Sequence, residues 1–365
     1  MRVGILASEL QSSPTGVGRF LRGLIAHLPA CRPEWNFTLF FQGDPFDDPL
    51  LDDPAIEAVF FSRGDDHPVL FEQFRLARLL PDLDVFLGPA YSLPRGLRCP
   101  GLVAIHDLSF EVLPEEFAWR ERWRRRWLAR RAARTASRVL TLSSLVSTQL
   151  QELYGVPRDR IAVLPLAVDM PFFRASAESV APAVEPPFLL FAGSIFPRRR
   201  VDVVLEAFSL LLAQRPNLRL VLAGANRLRK PELLSQWIDD LGIAKNVVRL
   251  GYVDNGQLAA LMKNAEASFY LSTYEGYGLP PLEALSLGSA VLTSPGQALD
   301  DLWPQYPYRC AAIEAREVSA IACRILDDAD ERARVLSQAE RVLAGLSWER
   351  TAELFSVEVE KAVEP

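Results

Sequence analysis

Histidine, methionine and cysteine are scarce in this chain of 365 residues: three, three and four respectively. The cysteines, Cys31, Cys99, Cys310 and Cys323, are scattered and form no Cys-x-x-Cys pair. Neither a metal cage nor a disulfide framework is expected, and the pattern fits a reducing cytoplasm. No apolar run reaches the roughly 18 residues that mark a transmembrane helix. The opening residues, Met1-Arg2-Val3-Gly4-Ile5-Leu6-Ala7-Ser8, lack the long apolar core and cleavage site of a signal peptide and read as a first strand. A basic excess is missing too. Lys and Arg total 40 against 46 Asp and Glu, a formal net charge of -6, which argues against a general nucleic-acid binder. What remains is an ordinary soluble composition, 49% hydrophobic and 24% charged, on a length that allows two or three domains.

Short β-rich runs alternate with longer amphipathic ones. Segments 3–7, 37–41, 58–61, 85–87, 102–105 and 139–142 read as strands, and 17–28, 69–80, 116–136 and 144–154 as helices. Residues 175–187, Pro-rich and without periodicity, mark a linker. A second series has strands at 188–192, 219–223, 247–250, 267–271 and 290–293, with helices at 201–212, 231–241, 257–264 and 280–287. Segments 317–327, 332–343 and 348–363 are wholly helical. This alternation predicts α/β architecture: two Rossmann-like, doubly wound domains, 1–174 and 188–346, followed by a terminal helix at 347–365. Ligands of such sheets bind at the carboxyl ends of the strands, and two domains imply a central cleft.

The most informative stretch is Glu275-Gly276-Tyr277-Gly278-Leu279-Pro280-Pro281-Leu282-Glu283-Ala284. Proline is favoured at a first helical position, so the expected arrangement is a loop carrying Glu275 and Tyr277, then a helix from about Pro280 with Glu283 in its first turn. The glycines allow close backbone approach, and a helix N-terminus offers N–H groups to phosphate. A glutamate in a first turn also stabilises the macrodipole with no ligand at all, so both readings stand on spacing alone.

Other groups fall at expected strand ends. Ser12-Ser13-Pro14-Thr15-Gly16-Val17-Gly18-Arg19-Phe20 is a Gly-x-Gly turn that lacks the third glycine of the dinucleotide fingerprint. Gly193-Ser194-Ile195-Phe196-Pro197-Arg198-Arg199-Arg200 sets three arginines at a strand-to-helix turn. Guanidinium pairs phosphate bidentately, and cations oppose the macrodipole there, which favours a functional reading over a solvated helix start. His106 and Asp107 follow the strand 102–105. The pair Asp82-x-Asp84 reads as ordinary strand entry, so no metal site is expected. In 119–138, Trp119, Trp123 and Trp127 recur at i, i+4 and i+8, with Leu128 and several alanines completing an apolar stripe, and nine arginines occupy much of the remainder. A core-packed helix with a basic solvent face is the preferred reading, and a helix lying on an anionic membrane surface is the alternative.

Taken together, these segments resemble the GT-B glycosyltransferases of family 4, a large retaining group that includes bacterial mannosyltransferases. The segment from Glu275 to Glu283 looks like the family's Glu-x7-Glu signature. Gly16-Val17-Gly18-Arg19-Phe20, Ile105-His106-Asp107-Leu108, Gly193 to Arg200, Leu250-Gly251-Tyr252-Val253 and Ser347-Trp348-Glu349 support it in order, so the likeness covers nearly the whole chain. The resemblance implies a cytoplasmic, metal-independent hexosyltransferase of cell-surface polysaccharide assembly, peripheral at the inner face of the membrane if 119–138 meets lipid. Its co-substrate would be a nucleotide-sugar, with GDP-mannose the first guess, its acceptor a saccharide or lipid-linked saccharide, and no cofactor or nucleic acid would be needed. A catalytically silent nucleotide-sugar binding module is the alternative. The same resemblance implies that Glu283 binds the ribose, while Glu275 and the backbone of Gly276, Tyr277, Gly278 and Leu279 hold the sugar and diphosphate. Arg198 and Arg199 would neutralise the diphosphate, Tyr252 and Val253 lie near the base, and His106 meets the donor sugar. Gly16 and Gly18 would approach the phosphates, Arg19 and Asp107 the acceptor, and the terminal helix would cross back onto the first domain. Two departures stand out. The family usually has Arg-Lys-Asn where this chain has Arg198-Arg199-Arg200. Its common Ser-x-x-x-x-Pro-Glu is replaced near Thr293-Ser294-Pro295-Gly296-Gln297-Ala298-Leu299-Asp300-Asp301.

Overall fold

The computed structural model describes residues 1–11, 16–62, 67–168 and 170–364. The residues Ser12, Ser13, Pro14 and Thr15, which open the first glycine motif, lie outside them. The chain forms two compact units. Unit 1 comprises Met1–Ala167 and Leu346–Pro365; unit 2 is Val168–Gly345.

Unit 1 is built on seven parallel strands: β1 (Arg2–Leu6), β2 (Asn36–Gln42), β3 (Ile56–Phe61), β4 (Val85–Gly88), β5 (Gly101–Ala104), β6 (Arg138–Thr141) and β7 (Ile161–Val163), in the order β3-β2-β1-β4-β5-β6-β7. The central strand β1 pairs Val3 with Phe37 on one side and with Val85 on the other. Unit 2 carries β8 (Phe188–Ala192), β9 (Arg219–Ala223), β10 (Val247–Gly251), β11 (Ala267–Tyr270) and β12 (Val291–Thr293), ordered β10-β9-β8-β11-β12 and also parallel. Central strands such as Phe-Leu-Leu-Phe-Ala in β8 are buried at every residue, as helices on both faces of a parallel sheet require. Both units are therefore Rossmann-like.

The terminal helix Trp348–Val363 belongs to unit 1, where it packs on the helix Gly16–Cys31. Phe355 and Val359 are fully buried, Thr351 donates to the Pro165 carbonyl at 2.7 Å, and buried Glu358 pairs with Arg138 and Lys361. Closeness is greatest at Gly23, where a Cβ would come within 2.3 Å of the Trp348 ring.

Three sequence expectations change. The segment 175–187 does not begin as a linker: the helix Met170–Ser179 runs into it and packs on the helix Asn255–Asn264, with Lys263 3.7 Å from Glu178. Small residues that looked irregular are good helix formers once a partner helix is present. Glu283 is not in a first turn, because the helix is Leu279–Ser286 with Gly278 as its N-cap, which puts Glu283 in the second turn. Lastly, in the helix Trp119–Thr135 the residues facing the core are Ala129, Ala132 and Ala133, while Trp119, Trp123 and Trp127 are exposed. The expected stripe divides: its alanines pack against the core, as a core-packed helix requires, while the indoles fall on another, exposed face.

Candidate functional site

In unit 2 the winding direction reverses between β8 and β11, and ligands of open α/β sheets bind outside the carboxyl ends of strands at such a switch point. Two loops leave these ends. After β8 the chain turns at Gly193 (φ 102°) into a short helix, Pro197–Arg199. After β11 it runs through Tyr274 and Glu275 to Gly278, whose φ of 89° opens the helix Leu279–Ser286. The loops are joined by the Thr273 N–H, which donates to the Arg198 carbonyl at 2.9 Å.

These loops bring Arg198, Arg199 and Glu275 together. One carboxylate oxygen of Glu275 lies 3.9 Å from Nη1 of Arg199 and 4.0 Å from Nε of Arg198. Arg199 is only 6% exposed. Its guanidinium lies over the Tyr270 ring, 3.8 Å from the centroid, and donates from Nη2 to the Ala192 carbonyl at 3.0 Å. Among the described residues its buried Nε has no hydrogen-bond partner. A flat, multi-donor guanidinium can stack and bond to a carbonyl at once, which an ammonium cannot do. This is the physical content of arginine where the family has lysine. Gly193 is favoured by its backbone, whose φ of 102° would strain any side chain; a Cβ there would only make ordinary contact with Nη1 at 3.4 Å. Arg200, where the family has asparagine, adopts φ 45° and closes on Asp202 through contacts of 3.0 to 3.2 Å.

Glu283, 2% exposed, is buried in the second turn of the helix Leu279–Ser286. Burial first, then the charge of Glu275, holds the Tyr270 phenol well above its ordinary value; Glu283 adds to the effect. The helix behind Gly278 is a poorer anion site than its glycines suggested. Pro280 and Pro281 carry no N–H, so the first three helical positions offer only that of Leu279. Positive charge at this sheet edge therefore resides mainly in Arg198 and Arg199.

Sequence reasoning missed Tyr270 and Gln297. Gln297 donates to the Tyr270 carbonyl and to Ser294, each at 3.1 Å, and its carbonyl oxygen faces the Gly278 Cα. Ser294 in turn accepts from the Ser272 N–H at 2.8 Å. The departing segment after Thr293 is thus the floor of the Glu275 loop, and Tyr270 carried no signal beyond its place at the end of a strand. Tyr252 and Val253 follow β10 at the sheet's edge, two strands from β8; Tyr252 is 80% exposed.

Unit 1 assembles its own group near the switch between β1 and β4. His106, buried after β5, donates from Nε2 to the Pro89 carbonyl at 2.6 Å, which leaves Nδ1 as the acceptor nitrogen of a neutral ring. Burial, the largest influence, pushes its pKa below 6.5. Phe20 of the glycine motif meets the ring edge-on at 5.2 Å, and Tyr91 does so at 5.9 Å. Tyr91 sits at φ 61°, an uncommon conformation for a bulky residue and a recurrent mark of functional sites. Its hydroxyl donates to Asp107 at 3.1 Å, and the other Asp107 oxygen accepts from the Ser109 N–H and hydroxyl at 2.9 and 2.7 Å. Asp107 is thus engaged in shaping its turn. Gly16 is exposed with open space around it, Gly18 is buried, and Arg19 is half-buried. Among the described residues, no group of three His, Cys, Asp or Glu could hold a metal ion.

Known proteins match this architecture along the chain. Residues 14–171 match the family Glycosyltransferase Family 4, and residues 173–340 match Glycosyl transferases group 1. The O-antigen chain mannosyltransferase B of Escherichia coli is 28% identical over 94% of this chain and 96% of its own length. A D-inositol 3-phosphate glycosyltransferase of Thermobispora bispora is 30% identical, over 56% of this chain and 51% of that protein. Among solved structures, Anabaena HepE in complex with UDP and glucose superposes with a TM-score of 0.71 at 17% identity, covering 99% of both chains. With each half matched by its own family and the whole by one fold, the chain belongs to the GT-B glycosyltransferases of family 4.

Proposed function

We propose that this enzyme transfers a hexose, with retention at the anomeric carbon, from a nucleotide-sugar bound by unit 2 to a saccharide or lipid-linked acceptor of cell-surface polysaccharide. Mannose from GDP-mannose is the first donor to test, because the relative aligned over nearly its whole length is a mannosyltransferase. The observation that carries the reading is the convergence of Arg198, Arg199 and Glu275 at the switch point of the unit 2 sheet.

Breaking a sugar–phosphate bond leaves positive character on the ring carbon and negative charge on the departing diphosphate. Two arginines already held in place stabilise that charge most in the transition state, with little reorganisation. They supply countercharge that a divalent cation would otherwise provide, which favours metal-independent transfer. Glu275 holds both guanidinium groups and reaches toward the sugar hydroxyls. Glu283 accepts from the ribose, Gly276, Tyr277, Gly278 and Leu279 contribute backbone, and exposed Tyr252 with Val253 covers the base. In unit 1, neutral His106 offers Nδ1 to a sugar hydroxyl. Gly18 and Arg19 border the acceptor side, and Asp107 acts by fixing Tyr91. The work is done in the cytoplasm, at the inner face of the membrane for a lipid-linked acceptor.

The test is turnover of Glu275→Ala and Arg199→Ala with radiolabelled nucleotide-sugars, with folding checked by circular dichroism. Each folded variant should lose at least about 100-fold in kcat, the order seen when a preorganised charge-stabilising group is removed. Wild-type turnover in both would refute the assignment.

A further inference from the structure

The helix Trp119–Thr135 of unit 1 has no role in the chemistry above, and its composition is extreme. It carries eight arginines against one glutamate in a chain whose net charge is -6. Trp119, Trp123 and Trp127 lie one above another because residues four apart share a helix face. They span about 12 Å of helix axis. That face is open: Trp119 is 71% exposed and Trp123 is 66% exposed.

The tryptophans are not alone. Arg95 lies over the Trp127 ring at 4.9 Å and over the Phe74 ring at 5.1 Å, bridging the helix to a second segment. Phe74 is exposed, as is Leu70 one turn before it. The result is a contiguous apolar strip from two elements, stitched by a guanidinium. Isolated surface apolar residues need no explanation, but a strip of this kind does.

The charges around it are unevenly engaged. On one flank Arg126 and Arg130 pair with Glu111 at 2.8 and 3.1 Å, and on the far face of the helix Arg125 pairs with Glu121 at 2.7 Å. On the other flank, Arg120 and Arg124 are exposed, and Arg120 folds over the Trp119 ring at 5.2 Å. Indoles with an apolar body and one polar N–H, fringed by outward arginines, suit the boundary between lipid headgroups and acyl chains. The arginine fringe selects negative charge.

From this we infer that the Trp119–Thr135 helix, with Phe74 and Arg95, is a peripheral docking surface for a bilayer rich in anionic headgroups. Trp119 and Trp123 enter the interface, and Arg120 and Arg124 contact the headgroups. The inference rests on the transferase reading only for its purpose, which is to bring unit 1 to a lipid-linked acceptor; the surface physics stands apart from it. A net-negative protein is otherwise repelled by such a surface, so a cationic face also orients the approach.

The experiment is co-sedimentation of the full chain with phosphatidylcholine vesicles made with and without phosphatidylglycerol. Two variants are compared, Trp119→Ala/Trp123→Ala and Arg120→Glu/Arg124→Glu, with folding verified by circular dichroism. The wild type should pellet with the anionic vesicles only, and less at high salt. Each variant should bind at least about tenfold more weakly, while transfer to a water-soluble acceptor is unchanged. A wild type that ignores anionic vesicles, or variants that pellet as it does, would overturn the inference. Tryptophan-dependent self-association without vesicle binding would overturn it too, assigning the strip to a second copy of the chain. Vesicle binding by a wild type that transfers no sugar would count against the enzymatic reading and leave this one standing.

Discussion

His106 shows how one buried side chain ties the chemistry to pH. Its Nε2 proton is held by the Pro89 carbonyl, and burial favours the neutral ring, so the folded pKa lies below the ordinary 6.5. The unfolded chain then binds a proton that the folded chain refuses. Stability from this group is complete above about pH 6.5 and is lost as pH falls toward the folded value. The wild-type Tm should decline over that window, and His106→Asn should flatten the decline; an unchanged slope in the variant would refute the assignment. The position of His106 at a strand's carboxyl end was legible in the sequence, as were Glu275 and the arginines. The tautomer was not, because it depends on a carbonyl 17 residues away in sequence. Tyr270 was hidden for the same reason. Its value lies in the guanidinium stacked on it, a contact between the ends of two strands.

At the scale of elements, periodicity located most strands and helices within a residue or two, because parallel strands buried on both faces are nearly continuous apolar runs. It failed where an element is short or where its partner decides its conformation. The strand β7, Ile161–Val163, is three residues long and stands out only by pairing with β6. By spacing, the tryptophans and alanines of 119–138 form one apolar stripe, yet only the alanines are buried. Periodicity finds faces and does not say which one is buried. One helix contact is tight enough to test. A methyl group added at Gly23 would collide with the Trp348 ring, so Gly23→Ala should cost about 1–3 kcal/mol, the usual range for overpacking. Thermal denaturation should show the loss, and Trp348→Ala in the Gly23→Ala background should recover part of it. Additive losses in the double variant would rule out the steric account.

For the whole molecule, the division into units was readable from the repeated strand–helix rhythm, although the first unit ends at Ala167 and not at 174. The helix Met170–Ser179 blurred that boundary in the sequence. Removing Leu346–Pro365 should strip the helix Gly16–Cys31 of its cover and leave unit 2 intact. Hydrogen exchange should then show amide protection lost across β1 to β7 and kept across β8 to β12; full protection of both sheets would contradict this. The same arrangement bears on how the protein emerges from the ribosome. Unit 2 is one continuous stretch and can complete its core as soon as it is made, whereas unit 1 waits for its final helix. At about 5–20 residues per second, the roughly 200 residues after Ala167 impose a delay on the order of 10–40 s. The half of the chain translated first is therefore the half that folds last, and during that interval its apolar helix face is exposed to chaperones.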